Sequence, residues 1–295
     1  MPFKHSDGPE AWRLIELEVV RDAEEFTAAL VFELGTTGIV TLEERDDTVK
    51  LGAYFDGQTD AGKVARAIRA EFARVGRSND LRLVSSSSVP DQDWMQKWKE
   101  GFEPTEIGSR LIIAPSWKLP DAGEGRIVVQ IDPGMAFGTG THETTRMCLE
   151  AIEKHWRGGS LLDVGTGTGI LAIAGALLEP GSRITAIDVD PQAVEVAREN
   201  TEINDASNSV EVVEGGPRGF VGGAFDAVVA NLTAEVIISL IDDLAGCVSG
   251  SGMVILSGIL TTLEADVETA ATRAGLTIVE RRQLGEWSAL VARKD

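Results

Sequence analysis

The sequence predicts a two-domain α/β protein, and three observations carry that expectation. Residues 12–86 read in the order β-α-β-β-α-β, and strands alternate with helices from Ser160 onward. Between the two patterns, "SSSSVPDQDW" (85–94) sets four serines, a proline and charges among periodic segments. At 295 residues the chain also exceeds one typical domain. The expected partition is a first domain over 1–86, a linker and connecting helix over 87–115, and a second domain over 116–295.

The first domain opens with "WRLIELEVV" (12–20), which alternates as a strand does, and "AEEFTAALVFELG" (23–35), an apolar stripe at helical spacing that stops at Gly35. "GIVTLEE" and "TVKLGAYF" are two strands joined by Arg45, Asp46 and Asp47. A second helix, "AGKVARAIRAEFARVG", places Val64, Ala67, Ile68 and Phe72 on one face, and "DLRLVSS" closes a ferredoxin-like α+β set. No cluster of catalytic residue types occurs there, which suits binding or positioning, or a structural role alone.

In the connecting stretch, Trp94, Trp98 and Phe102 recur at a spacing of four. That puts three aromatics on one helix face, for packing or for stacking on a substrate. "RLIIAPSW" and "RIVVQIDPG" follow as strands. The second domain then runs "SLLDVG", "GILAIAGALLE", "SRITAIDVD", "PQAVEVARENTEIN", "SVEVVEG", "AFDAVVANL", "AEVIISLIDDLAGCV" and "SGMVILSGI". Such alternation argues for a parallel sheet covered by helices on both faces. After a helix near 262–274, "LTIVERRQLG" and "EWSALVARK" read as an antiparallel hairpin at the sheet edge, giving seven strands. That ending separates a class I methyltransferase sheet from a plain Rossmann one.

Composition excludes some chemistry. No apolar run reaches the ~20 residues of a membrane helix, and "MPFKHSDGPE" lacks the layout of a signal peptide. Cys148 and Cys247 are far apart with no CxxC spacing, so thiol redox or metal chemistry is not expected and a reducing cytoplasm fits. His5, His142 and His155 form no metal cluster, and "HETTR" has Arg146 where HExxH needs its second histidine. The formal charge, 27 − 47 = −20, repels phosphate backbones and attracts basic proteins, or serves solubility alone. Direct nucleic-acid, membrane and metal partners are therefore not expected.

Two glycine-threonine words carry the chemistry. In "DVGTGTG", Gly165, Gly167 and Gly169 follow a buried strand and open a helix, so a ligand can lie against bare backbone. Asp188, 21 residues past Gly167, ends the next strand, where a carboxylate can accept the hydroxyls of a ribose; capping the next helix suits Asp190 better. "GTGILA" also satisfies G-x-G-x-x-A, so a nicotinamide dinucleotide is formally allowed. S-adenosylmethionine is favoured by the acid-first "LDVGTGTG", by "DAVVANLT" and by the terminal hairpin. Asp163 is placed to meet the amino group of its methionine part, or to serve structure alone.

Asn231 ends another strand and faces the crevice, where its amide oxygen can orient an acceptor amine; the alternative is a helix cap. Methyl transfer rests mostly on placement, and a lysine acceptor is freed of its proton by desolvation rather than by a dedicated base. A dehydrogenase would need a proton acceptor beside the hydride. The other word, in "DPGMAFGTGTHETT" (132–145), is not a Walker loop, since no Lys-Ser/Thr follows. Gly134, Gly138 and Gly140 with Thr139, Thr141, Thr144 and Thr145 have the composition of a loop that folds over a ligand, ahead of a helix "HETTRMCLEAIE". His142 reads as a hydrogen-bonded loop residue rather than a catalyst.

"DWMQKWKEGFEPTEIGSRLIIAPSW", "IDPGMAFGTGTHETTRMCLE", "LLDVGTGTGILAIAG", "AIDVDPQAVEVARENTEIN", "VVANLTAEVI" and "LSGIL" resemble, in this order, the ribosomal protein L-eleven methyltransferases of the PrmA type. The resemblance covers about residues 90–260 and implies a cytoplasmic enzyme that moves methyl groups from S-adenosylmethionine to lysine side chains and the N-terminal amine of a basic ribosomal protein. It implies that the N-terminal domain recognises that substrate across a linker that lets the domains reorient. It also implies cofactor contacts by Thr145, Gly165, Asp188 and Asn231, to which the residue reading adds Gly167 and Asp163. Where the family usually has G-C-G-S-G this chain has Gly-Thr-Gly-Thr-Gly, and "NLTA" replaces a common "NILA". Both departures spare the glycines. The alternatives are a methyltransferase for another protein lysine, a nicotinamide-dependent oxidoreductase, and a binding module without turnover.

Overall fold

The computed structural model of the chain describes residues 11–45, 47–90, 103–121, 123, 125–132, 142–223 and 225–294. Trp94, Trp98 and Phe102 of the expected aromatic helix lie outside the described residues, as does segment 133–141 with Gly134, Gly138, Gly140, Thr139 and Thr141. The chain divides into two compact units, Met1–Gly101 and Phe102–Asp295.

The first unit contains β1 (Ala11–Val20), α1 (Glu24–Glu33), β2 (Gly38–Glu44), β3 (Thr48–Asp56), α2 (Ala61–Arg74) and β4 (Leu81–Pro90). Its strands form one antiparallel sheet in the order β2-β3-β1-β4. Residues two apart on a strand share a face, so Ile15, Leu17 and Val19 of β1 and Val49, Leu51, Ala53 and Phe55 of β3 are all buried. They form one core with Val64, Ile68 and Phe72 of α2, whose period near 3.6 keeps these three on one side. Asp60 caps α2, its side chain accepting from the Lys63 amide at 3.0 Å. Ser85–Ser88, expected as a domain boundary, lie inside β4 and pair with β1 from Glu16 back to Arg13. The ladder uses only backbone groups, so an edge strand tolerates a run of serines that reads as a loop by composition.

In the second unit, β5 (Thr105–Ile107), β6 (Leu111–Ala114) and β7 (Ile127–Gln130) make a small sheet. Within the expected connecting stretch, Leu111–Ala114 form the strand read from "RLIIAPSW", and Thr105–Ile107 add a second one. There follow α3 (Glu143–His155), β8 (Ser160–Val164), α4 (Ile170–Leu178), β9 (Arg183–Asp188), α5 (Pro191–Ile203), β10 (Val210–Glu214), β11 (Phe225–Asn231), α6 (Ala234–Cys247), β12 (Val248–Leu260), α7 (Glu264–Arg273), β13 (Leu276–Leu284) and β14 (Trp287–Lys294).

These last seven strands make one sheet in the order β10-β9-β8-β11-β12-β14-β13, and β14 alone runs against its neighbours. The expected C-terminal hairpin is present, with β13 at the edge and alternating in burial. Central strands are apolar on both faces, as parallel strands under two helical layers must be. Leu161, Ala227, Val229 and Ile255 pack in one core with α3 and α4, whereas Leu162, Val228, Ala230, Val254 and Leu256 pack in the other with α6 and α7. Strand order reverses at β8, between β9 and β11, which opens a crevice at the C-terminal strand ends.

Two features shape the rim of that crevice. Gly258 of β12 has φ +86°, and a Cβ there would sit 2.3 Å from the Leu232 carbonyl oxygen. Only glycine lets β12 bulge so that the chain after β11 can pass this close. On the small sheet, Gln130 is clamped by Asn204, the residue after α5, whose side-chain amide accepts from the Gln130 N–H at 2.8 Å and donates to its carbonyl at 2.7 Å. This clamp holds the end of β7 beside the C-terminal end of α5.

Glu280 of β13 ties the sheet edge to α3. Its carboxylate accepts from Lys154 (2.7 Å), His155 (2.6 Å) and Arg282 (2.8 Å), and Arg282 also donates to Glu150 (2.8 Å). Burial pushes the Glu280 carboxyl up, but the bonds from Lys154, Arg282 and His155 together outweigh it and hold its pKa at about 2. A folded value below the ordinary 4.5 means that the network stabilises the protein above that pH and is lost as pH falls from 4.5 towards about 2. Urea unfolding of Glu280→Gln should therefore show lower stability than the native chain at pH 7 and a flatter decline across that acid window; parallel declines would remove Glu280 as the cause.

Candidate active site

The C-terminal ends of β8, β9 and β11, with the turn after β10, open onto a cavity of about 560 Å³. Its floor is the turn from β8 into α4. Gly165, Gly167 and Gly169 all have positive φ, at +71°, +55° and +83°, a region that L side chains avoid. A Cβ on Gly165 would come within 2.5 Å of the Leu232 side chain, in the space at the cavity wall. The turn is held to the neighbouring strand because the Gly165 and Thr166 amides both donate to the Ile187 carbonyl, at 2.9 and 3.0 Å. Behind it, Asn200 of α5 donates to the Thr168 carbonyl at 2.8 Å.

Asp188 stands where β9 meets this turn. One carboxylate oxygen accepts from the Gly167 amide at 3.0 Å and the other from the Asp190 amide at 3.1 Å. A carboxylate has about four acceptor sites, so two bonds leave capacity for a diol. The neighbouring Asp190, rather than Asp188, caps α5 by accepting from the Gln192 amide at 2.9 Å. Gly165, Gly167, Asp188 and Asn231, all expected from sequence, line the same cavity.

Asn231 does not cap α6, whose N-cap position is taken by Thr233. Its side-chain nitrogen donates instead to the Thr145 hydroxyl at 3.3 Å. That bond commits the nitrogen and leaves the amide oxygen as the group able to accept from an incoming amine. Thr145 is buried near the start of α3, where His142 is the N-cap and its ring nitrogen accepts from the Thr144 amide at 3.3 Å. The Ser257 hydroxyl of β12 donates to the Thr144 carbonyl at 3.1 Å. The first turn of α3 is thus pinned to the ends of β11 and β12.

Asp163 lies elsewhere. It is wholly buried under the glycine turn, off the cavity wall, with one oxygen accepting from the Thr166 hydroxyl at 2.6 Å and the other without a hydrogen-bond partner. Burial pushes its carboxyl up to about 7, against the Thr166 hydroxyl and the Ala172 amide, with Asp188 adding to the rise. Burial also pushes the Cys148 thiol up to about 12, so it stays protonated and is no nucleophile. Among the described residues no group of acids, histidines and cysteines could hold a metal ion.

Sequence reasoning missed the rest of the wall. Val189, 75% exposed, follows Asp188, and Gly215, Gly216 and Pro217 follow β10. Gly215 is tied back by its amide to the Asp188 carbonyl at 2.8 Å. Leu232, Val236 and Leu240 close the side towards α6. "EGGPRG" at a third strand end was a usable signal by the same crevice rule. The apolar residues carry none, since helix faces of this composition usually pack.

The chain as a whole is similar to known proteins. A family model described as ribosomal protein L11 methyltransferase (PrmA) matches residues 11–295. A protein named ribosomal protein L11 methyltransferase from Streptococcus pyogenes serotype M3 is 36% identical over 307 residues, spanning 97% of this chain and 96% of its own. The crystal structure of a ribosomal protein L11 methylase from Lactobacillus delbrueckii subsp. bulgaricus is similar with a TM-score of 0.61 at 30% identity, covering 66% of this chain and 100% of that one.

The Asp163 carboxyl yields a test that needs no ligand. Its folded pKa, about 7, lies above the ordinary 3.8, so the folded state holds a proton that the unfolded chain has released. Stability should decline as pH rises from 3.8 to about 7 and level off above it. Asp163→Asn, which cannot ionise, should lack this decline when unfolding is followed at several pH values between 5 and 8; a variant with the native slope would show that another group is responsible.

Proposed function

The chain belongs to the ribosomal protein L11 methyltransferase (PrmA) family and is a methyltransferase, and we propose that it transfers methyl groups from S-adenosylmethionine to lysine side-chain amines and the N-terminal amine of ribosomal protein L11. One observation carries the choice of cofactor. The cavity is lined by Asp188, Asp190, Glu195 and Glu199, and among the described residues no lysine, arginine or histidine faces it. Such a wall suits a cationic nucleoside and opposes the pyrophosphate of a nicotinamide dinucleotide, which removes the reason to prefer an oxidoreductase.

When bound, S-adenosylmethionine supplies an electrophilic methyl group. Asp188 accepts the ribose hydroxyls while its other bonds keep the glycine turn in place. Gly165 and Gly167 present bare backbone as the floor, and Asp163 acts on that floor from beneath through Thr166. Asn231 orients the acceptor amine with its amide oxygen, and Thr145, bonded to Asn231, completes that side. Leu232, Val236 and Leu240 exclude water, which lowers the pKa of a lysine from its free value of about 10.4 and frees the lone pair. The first unit, residues 1–86 in the partition read from sequence, serves to recognise the substrate. A net charge of −20 favours a basic protein partner over nucleic acid. Two buried thiols, and no described helix long and apolar enough to cross a membrane, suit a cytoplasmic enzyme.

The decisive experiment incubates the protein with S-adenosylmethionine and ribosomal proteins stripped of methylation, then weighs each intact product. L11 should gain one or more methylene masses; gain on a different protein would reassign the substrate, and gain on none would refute the activity. Asp188→Ala should bind S-adenosylmethionine roughly ten- to a hundredfold more weakly by calorimetry, the loss expected for hydrogen bonds to a charged group. Unchanged affinity would take the ribose away from Asp188.

A further inference from the structure

Methyl transfer changes the charge of the ligand in the cavity. The amine lone pair forms the new N–C bond and the S–C bond breaks, its electron pair remaining on sulfur. S-adenosylmethionine, with a sulfonium, an ammonium and a carboxylate, carries one net positive charge; S-adenosylhomocysteine carries none. The positive charge passes to the methylated amine, which afterwards releases a proton to water. Any residue that feels only net charge therefore distinguishes the live donor from the spent one.

Two carboxylates meet that description. Glu195 and Glu199 lie one turn apart on α5 and both line the cavity. They are exposed, and among the described residues neither has a hydrogen-bond or ion-pair partner. This sets them apart from Asp188 and Asp190, whose oxygens are engaged by the Gly167, Asp190 and Gln192 amides. The nearest basic side chain on the helix, Arg198, is turned away and donates to the Val212 carbonyl at 3.0 Å. Segment 133–141, "PGMAFGTGT", contains no lysine or arginine. Apolar walls from Val164, Val196 and Leu232 lower the dielectric between the carboxylates and the floor.

We propose that Glu195 and Glu199 select the methyl donor over its demethylated product by net charge, favouring entry of S-adenosylmethionine and release of S-adenosylhomocysteine. The inference rests on the assignment of this cavity to S-adenosylmethionine. Neither residue needs to touch the ligand. Unpaired charges act across a Debye length of ~10 Å at moderate salt, and a cavity lined by one sign focuses the field.

The test is a calorimetric titration of the native protein and of the double variant Glu195→Gln, Glu199→Gln with three ligands. These are S-adenosylmethionine, S-adenosylhomocysteine and the analogue with a protonated amine in place of the methylsulfonium. The double variant should bind the two cationic ligands about three- to tenfold more weakly at low salt, while the neutral product changes less than about twofold. The difference should shrink as salt is raised. Glu202→Gln, on the same helix but off the cavity, should change the ratio of affinities less than the double variant does. Equal changes for all three ligands, no change in any, or a Glu202→Gln effect of similar size overturns the charge selection and leaves the cofactor assignment standing. If the native protein binds none of the ligands, the assignment itself fails and the inference falls with it.

Discussion

The arrangement of this site depends on the carboxylate of Asp188 and the two amides it holds. By accepting from Gly167 and from Asp190, it ties the glycine turn after β8 to the helix start after β9. The adjacent Ile187 carbonyl repeats the tie through Gly165 and Thr166. Three glycines with positive φ would otherwise be among the least constrained residues of the chain, because glycine loses the most backbone freedom on folding. The same carboxylate that faces the cavity thus keeps its floor in one conformation before any ligand arrives. Preorganisation of this kind is what a placement-driven reaction requires.

The second anchor is polar and lies on the opposite side of β8. Asn231, Thr145, Ser257 and Thr144 connect β11 and β12 to the first turn of α3. Under the glycine turn Asp163 is buried with Thr166 as its hydrogen-bonded partner, and the buried Cys148 of α3 lies near it. Buried polar groups of this sort cost free energy unless they are satisfied, and the unpartnered Asp163 oxygen is the exception here. Its raised pKa is the physical response: the group holds its proton instead of standing as an unpaired buried charge. The glycine turn and the α3 cap therefore share one buried polar region, although they are separate stretches of sequence.

Acidic character divides by location. On the surface, a net charge of −20 is compatible with solubility as well as with a basic partner. Within the cavity the same excess has a narrower meaning, since walls of apolar side chains keep the carboxylates from being fully screened. This distinguishes a sulfonium nucleoside from a dinucleotide where the glycine pattern, shared by both, does not.

Much of the fold was legible in the chain because its signals are local. The doubly apolar runs at 160–164 and 225–231, the capped helix after Asp190 and the terminal hairpin are all set by residues near in sequence. Gly165, Gly167, Asp188 and Asn231 were legible for the same reason: each sits at the end of a strand that could be recognised by itself. The serines of β4 were not, because an edge ladder is made by backbone and needs no particular side chain. Nor were the withdrawal of Asp163 from the cavity wall, the bond between Asn231 and Thr145, or the closing wall of Val189, Leu232 and Val236. The sequence by itself determined the strand-turn-helix units and the polar residues Asp188 and Asn231 at two of the strand ends. Tertiary structure alone decided which of those ends share a cavity and which lie buried beneath it, because strand order and side-chain burial arise from contacts between residues that chain spacing does not encode.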